Sequence, residues 1–312
     1  MNFSRSENKK KGALFLAGVF LLALGSCSWS SHRLTGNMLK ANDNLVSASK
    51  FIDSGHPEEA LIVLRSALQQ YQLAGNLPLS VQTMNQIASL YARTQQYSLA
   101  ALWFQRSLAI ATILGSPSLE SDTLALVAQL EWQLGKTADA KKEVVAGITI
   151  SKRIKDRENR HEVLSVLYSV SGLINARLHK SDRALADFKK SIDYSKKIHD
   201  LKKESEDEGN IGRLYLIENN LPKAIQSFQK ALVLDQKTQS PEGIAFDSEG
   251  LALAYNNMKS YRQSLINILV AIPIRKIQGP EDLYQKDVSL LHDIETNRHH
   301  TEELFVLDGW IK

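Results

Sequence analysis

Large apolar and very small residues alternate along this chain in step, block after block. Ala60, Ala100, Ala140, Ala184, Ala224 and Ser264 mark one place in six successive blocks, at intervals of 40, 40, 44, 40 and 40. Four residues on stand Leu64, Phe104, Val144, Phe188, Phe228 and Ile268, all large. Seven on come Ala67, Ser107, Gly147, Ser191, Ala231 and Ala271, all small; eight on come Leu68, Leu108, Ile148, Ile192, Leu232 and Ile272. Offsets of four, seven and eight share one face of an α-helix. A second small column, Ala48, Ala88, Ala128, Gly172, Gly212 and Ala252, lies twelve residues before each mark, on a partner helix across a turn. The spacing predicts paired helices at 39–54 and 57–74, 78–94 and 97–114, 118–134 and 137–155, 158–178 and 181–200, 202–219 and 221–238, and 241–258 and 261–277. Turn signals separate them, among them Gly55-His56-Pro57, Gly115-Ser116-Pro117, Asn219-Asn220 and Ser240-Pro241. Pro280 opens one more helix to about Asn297, which would cover the last apolar face.

The block from Asn210 to Lys237 is the most explicit, with Gly212, Ala224 and Ala231 small, Tyr215, Phe228 and Leu232 bulky, and Asn219-Asn220 as the turn. It resembles the tetratricopeptide repeat (TPR), here in its long-repeat class, since the blocks step by 40 residues or more. The resemblance implies an all-α fold, a right-handed superhelical solenoid of about six TPR-like helix pairs plus a C-terminal capping helix. Its repeats would be 39–74, 78–114, 118–155, 158–200, 202–238 and 241–277, with the capping helix and an apolar tail over 280–312. Repeats three and four depart from the pattern, placing Glu131 and Asn175 where Phe51, Tyr91, Tyr215 and Tyr255 stand in the others. Either packing is looser there or these groups face a groove. The tail ELFVLDGWIK, 303–312, either folds back on the cap or docks a partner.

The N-terminus carries an address. Lys9-Lys10-Lys11 precedes the apolar run ALFLAGVFLLAL (13–24), which is too short to span a bilayer at about 20 residues. It reads as a signal peptide over 1–26. Leu24-Gly25-Ser26-Cys27 resembles the bacterial lipobox, which implies cleavage before Cys27 and acylation of that cysteine. Cys27 is the sole cysteine, so no intramolecular disulfide is available to it. The alternative is an unlipidated signal or anchor with an incidental thiol. Ser28 after the cysteine points to the outer membrane by the same resemblance, the body facing the periplasm on a Ser-rich tether over 27–38.

Charge and composition exclude more than they identify. Arg5, Lys9, Lys10 and Lys11 less Glu7 account for three of the four net positive charges, leaving no basic footprint for nucleic acid. No phosphate loop, nucleophile elbow, zinc motif or cysteine pair is present, so the sequence predicts a protein that is not an enzyme and carries no cofactor or metal. The eight histidines are scattered, and His299-His300 in a polar stretch reads as solvated. The runs Lys202-Lys203-Glu204 and Glu206-Asp207-Glu208 read as helix faces and helix-start acids.

The TPR resemblance implies a concave face lined by the first helix of each pair. Its matching positions are Asn85, Ser89 and Arg93; Gln129, Trp132 and Gln133; Arg177; Asn210 and Arg213; and Asn256 and Asn257. Asn, Gln and Arg suit an extended peptide backbone and its carboxylates. Trp132 either anchors a ligand or fills the core in place of the aromatic missing at Glu131. Two functions follow. The first is a lipid-anchored envelope scaffold that binds a protein or peptide partner and assists assembly of an envelope machine. The second is an enzyme, or a small-molecule or metal carrier, with a site between the solenoid and the C-terminal segment, using Glu131, Asn175 and the late histidines.

Overall fold

In a computed structural model, residues 36–52 and 54–299 are described. They form thirteen α-helices and no strand: α1 over 36–52, α2 Pro57–Leu73, α3 Leu77–Arg93, α4 Tyr97–Ile113, α5 Pro117–Gln133, α6 Thr137–Ser151, α7 Arg157–Arg177, α8 Ser181–Lys197, α9 Leu201–Ile217, α10 Leu221–Thr238, α11 Pro241–Asn257, α12 Tyr261–Gln278 and α13 Glu281–His299. The signal peptide, Cys27, the tether as far as residue 35, and the apolar tail lie outside the described residues. Residues 36–38, expected in the tether, are helical, and α6 stops at Ser151 short of the expected 155. No described helix is long and apolar enough to cross a membrane.

The chain divides after Leu114 into two compact units. In the first, α1 pairs with α2 around Ala41, Ala67 and Tyr71, and the Tyr71 hydroxyl donates to Asn42 at 2.6 Å. The helices α3 and α4 form its second pair. In the second unit α5 pairs with α6, α7 with α8, α9 with α10 and α11 with α12, and α13 packs on α12 and α11. First helices also lie beside first helices there, α5 against α7, α7 against α9 and α9 against α11.

The columns of small and large residues are the contacts of each pair. Ala60, Ala100, Ala140, Ala184 and Ala224 are fully buried. A β-carbon added at Gly172 would sit 2.6 Å from the Phe188 ring, and one at Gly212 would sit 2.8 Å from Phe228. Phe228 is held between two such positions, since a β-carbon on Gly250 of the next pair would come still closer, at 2.4 Å. Glycine there lets two backbones close on a phenyl ring. Polar ties repeat with the same period. Ser107 donates to the carbonyl of Val81, Ser121 to Gly147, Ser191 to Ser165 and Ser205 to Ala231, each across 26 residues of chain.

Each link within a pair turns through one residue in the left-handed region: Gly55, Gln95, Gly135, His179, Asn219 and Lys259. Their amides and the next ones close onto the preceding helix, as when Lys259 donates to Asn256 and Ser260 to Tyr255. The single 44-residue interval has a local cause. The helix α7 is 21 residues long where α5 and α9 have 17, so the four extra residues are one additional helical turn.

Candidate functional site

In the second unit the first helices of four successive pairs lie side by side, and the structure brings two pairs of their side chains together. Arg177, at the last turn of α7, lays its guanidinium over the Trp132 ring of α5 at 4.5 Å and donates to the Trp132 carbonyl. Arg213 of α9 lies over the Phe246 ring of α11 at 5.1 Å. Each arginine thus bridges one repeat's first helix to a neighbour's. Both are exposed, and neither forms an ion pair with a described residue. A cation on an aromatic face in this setting contributes about 0.5–1 kcal/mol, while the rest of the guanidinium stays open to a partner's carboxylate or carbonyl.

Trp132 does both things considered for it. It is half-buried and packs against the cluster of Ala128, Val144 and Ile174, yet its other face carries Arg177. Its indole N–H is buried with no described partner. Gln129 and Gln133 of α5 and Asn257 of α11 are exposed, whereas Asn210 and Asn256 are half-buried. The Asn256 carbonyl oxygen is buried without a described partner. Ser89, half-buried, and Arg93, exposed, lie on α3 in the first unit. Asn85 faces inward: it is buried, and its side-chain oxygen accepts from Ser107 of α4 at 2.6 Å. It belongs to the interior of its helix pair.

The departures at Glu131 and Asn175 have distinct environments. Asn175 donates to Asp187 of α8 at 2.8 Å, and Ser171 donates to the same carboxylate at 2.7 Å, so the missing aromatic is replaced by a hydrogen-bonded polar pair. Glu131 meets Glu143 of α6 at the equivalent place. Its carboxyl is raised above the ordinary range, first by burial and then by the charges of Glu143 and Asp139. Neither residue comes near α13, which packs only on α12 and α11. His292 is exposed, and His300 lies outside the described residues. Among the described residues, Glu131 and Asn175 therefore form no common site with His292.

Several functional-looking groups escape the sequence pattern. Phe246, the seat of Arg213, is one. Asp122, between α5 and α7, is another: burial first, then the Glu162 charge, raise it to about 7 against one hydrogen bond from Ser118. The acidic run on α9 is not a solvated face throughout. Glu206 is exposed and pairs with Lys203 at 2.7 Å, but Asp207 is fully buried and accepts from Ser169 of α7 at 2.5 Å. Further in, Asp235 and Asp247 share a hydrogen bond between α10 and α11, and burial with the Asp235 charge raises Asp247 to about 9. At the far end Arg275 bonds Glu249 at 2.7 Å and lies 3.2 Å from Asp287, all three buried. These acids tie helices together. Among the described residues no three His, Cys, Asp or Glu side chains are placed to hold a metal.

Comparison with known proteins matches this architecture. The sequence profile of the soluble NSF attachment protein (SNAP) family matches residues 26–155. No curated protein matches the chain. Among solved structures, a Rap protein complexed with competence and sporulation factor superposes with a TM-score of 0.60 at 9% identity, covering 85% of this chain and 78% of the Rap chain. Aspartyl phosphate phosphatase F from Bacillus subtilis superposes at 0.55 with 13% identity, covering 91% and 77%. A signal-transduction ATPase with a tetratricopeptide-repeat sensor from Pyrococcus horikoshii superposes at 0.51 with 13% identity over 83% of this chain, which spans only 42% of the ATPase. At these identities the likeness concerns the fold alone. The chain has a TPR-type helical-repeat fold.

Proposed function

We propose that this protein is a non-catalytic scaffold that binds an extended segment of a protein partner along the first-helix face of its second unit. Arg177 on Trp132 and Arg213 on Phe246 carry the reading: two exposed guanidiniums, each pre-positioned on an aromatic ring, stand on successive first helices. Such arginines lose little freedom on meeting a carboxylate or a peptide carbonyl. Gln129, Gln133, Asn210, Asn256 and Asn257 supply amides along the same helices. The Rap neighbour, complexed with competence and sporulation factor, is consistent with a ligand held by such an array.

The second part of the reading is the address. The lone Cys27 in a lipobox-like setting would be acylated, and two or more acyl chains at about 0.8 kcal/mol per buried methylene would hold the body at the envelope, on the periplasmic side of the outer membrane. There it would assist assembly of an envelope machine.

A pull-down from detergent-solubilised envelope, comparing wild type with a variant carrying Trp132→Ala, Arg177→Ala and Arg213→Ala, tests the face. The specific partner should vanish from the variant's mass spectrum while helicity is kept; an unchanged partner set would overturn it. Metabolic labelling with an alkyne fatty acid tests the anchor, since Cys27→Ser should abolish the label.

A further inference from the structure

We propose a second binding site, on the opposite helices from the first: a trough between α8 and α10 that takes an acidic peptide segment through an apolar side chain flanked by carboxylates. The helices α8 and α10 do not touch each other; each packs on α9, which leaves a cleft of about 410 Å3 between them. Its floor is apolar, made by Leu185 and Ile192 of α8 and by Ile211 and Tyr215 of α9. Its two rims are basic. Lys189 and Lys196 stand seven residues apart on α8, and Lys223 and Lys230 seven apart on α10, all exposed. Seven residues of helix rise about 10.5 Å, which is about three residues of extended peptide. The frame therefore fits one apolar side chain with an acid on either side.

The charge of this frame is only partly neutralised from within. Lys196 lies 3.5 Å from Glu204 and Lys230 lies 3.8 Å from Glu208, but Lys189 and Lys223 form no ion pair with a described residue. Lys223 instead rests over the Tyr215 ring at 5.3 Å, at the edge of the apolar floor. Asp193 and Glu208 are the only acids lining the cleft, against four lysines. The repeat geometry alone does not demand this. The corresponding positions on α10 and α12 are Gln229, Gln236, Gln263 and Val270, and on α6 and α8 they are Val145, Lys152, Arg183 and Lys190, basic at three of the four. Of these three junctions this one has all four corners basic, and the frame around its apolar floor matches a ligand that combines negative charge with one buried apolar group.

Fluorescence anisotropy tests it, using a short fluorescein-labelled peptide with Asp-Glu-Phe-Glu-Asp at its centre, at about 0.15 M salt where long-range attraction is screened. Wild type should bind. Lys189→Glu with Lys223→Glu should weaken binding by about tenfold or more, as should replacing the peptide's Phe by Ser. Gln229→Glu with Gln263→Glu, at the next junction, should change it by less than about twofold, and so should Trp132→Ala with Arg177→Ala. The last comparison separates this site from the first-helix face. Binding unaffected by the lysine reversals, or lost instead with Trp132 and Arg177, would overturn the proposal. So would a protein that ignores the peptide but uses the same lysines to bind phosphatidylserine vesicles.

Discussion

Replacing Asp247 by Asn should make the protein more stable, and increasingly so as pH rises. Asp247 is 1% exposed and its carboxyl faces that of Asp235, 5% exposed. The space around them is tight: a β-carbon at Gly243 would come 2.0 Å from an Asp235 oxygen, and one at Gly209 would come 2.9 Å from Asp247. Two carboxylates cannot both be charged there, so Asp247 keeps its proton and donates it to Asp235, and its ionisation moves from 3.8 to about 9. The folded state then holds a proton that the unfolded chain releases. This contribution is fully present below the unfolded value and is lost as pH rises from there towards about 9, at about 1.4 kcal/mol per pH unit. Between pH 5 and 7, allowing for relaxation around the pair, that is a loss of about 1–3 kcal/mol. An Asn side chain fits the same space and donates a similar hydrogen bond without a proton to lose. Asp122, Asp207 and Asp287, raised to about 7, 6 and 6, add losses of the same sign in both proteins. The difference between variant and wild type therefore isolates Asp247. Urea unfolding followed by circular dichroism at several values from pH 5 to 8 should show that difference growing in favour of Asn. Parallel stability curves would refute a shared proton.

Three further outcomes are expected. Ala224→Leu, which puts a branched side chain into the fully buried small column beside Phe228, should lower stability by about 1–3 kcal/mol in urea denaturation. Lys259→Gly should raise it by about 0.5–1 kcal/mol, because that residue is held at φ 58, where only glycine is unstrained; thermal melts would detect the gain. Arg275→Met should cost about 3–5 kcal/mol, since it leaves Asp287 buried without a cation and Glu249 with only Lys286, and limited proteolysis should then release α13 first.

What was legible in the chain, and what was not, follows from where the partner of each residue lies. The register could be read because its evidence is local: Ala224 and Phe228 share one helix face, Gly212 is twelve residues back, and a phenyl ring against a glycine recurs in the neighbouring repeat as Phe188 against Gly172. Likewise Arg177 and Trp132 both fall on the first-helix face by position, whereas their stacking joins residues 45 apart and has no local signal. Polar residues inside the array are not legible in this way, because a carboxylate looks the same in sequence whether solvated or buried. Asp207 resembles its exposed neighbour Glu206, and only Ser169, 38 residues earlier, shows that it points inward. Asn85 fits the amide-rich face by position, but a serine at Ser107, where most other repeats have Ala or Gly, offers it an interior partner instead.

That asymmetry bears on function. In a repeat array the apolar columns are shared by every block, so they build the scaffold and discriminate nothing. Specificity has to come from positions where one block departs from its neighbours. The four lysines around the α8–α10 trough are such a departure in part: glutamines and a valine stand one junction on, and one junction earlier Val145 replaces Lys189 while the other three places stay basic. Arg177 and Arg213 are another, since Leu253 stands in the next repeat at the place of Arg213, and Ile217 in the next repeat at the place of Arg177. A partner that reads these positions would have to follow the second unit helix by helix. Exchanging α9 for the corresponding helix of another repeat would then keep the fold and lose the partner.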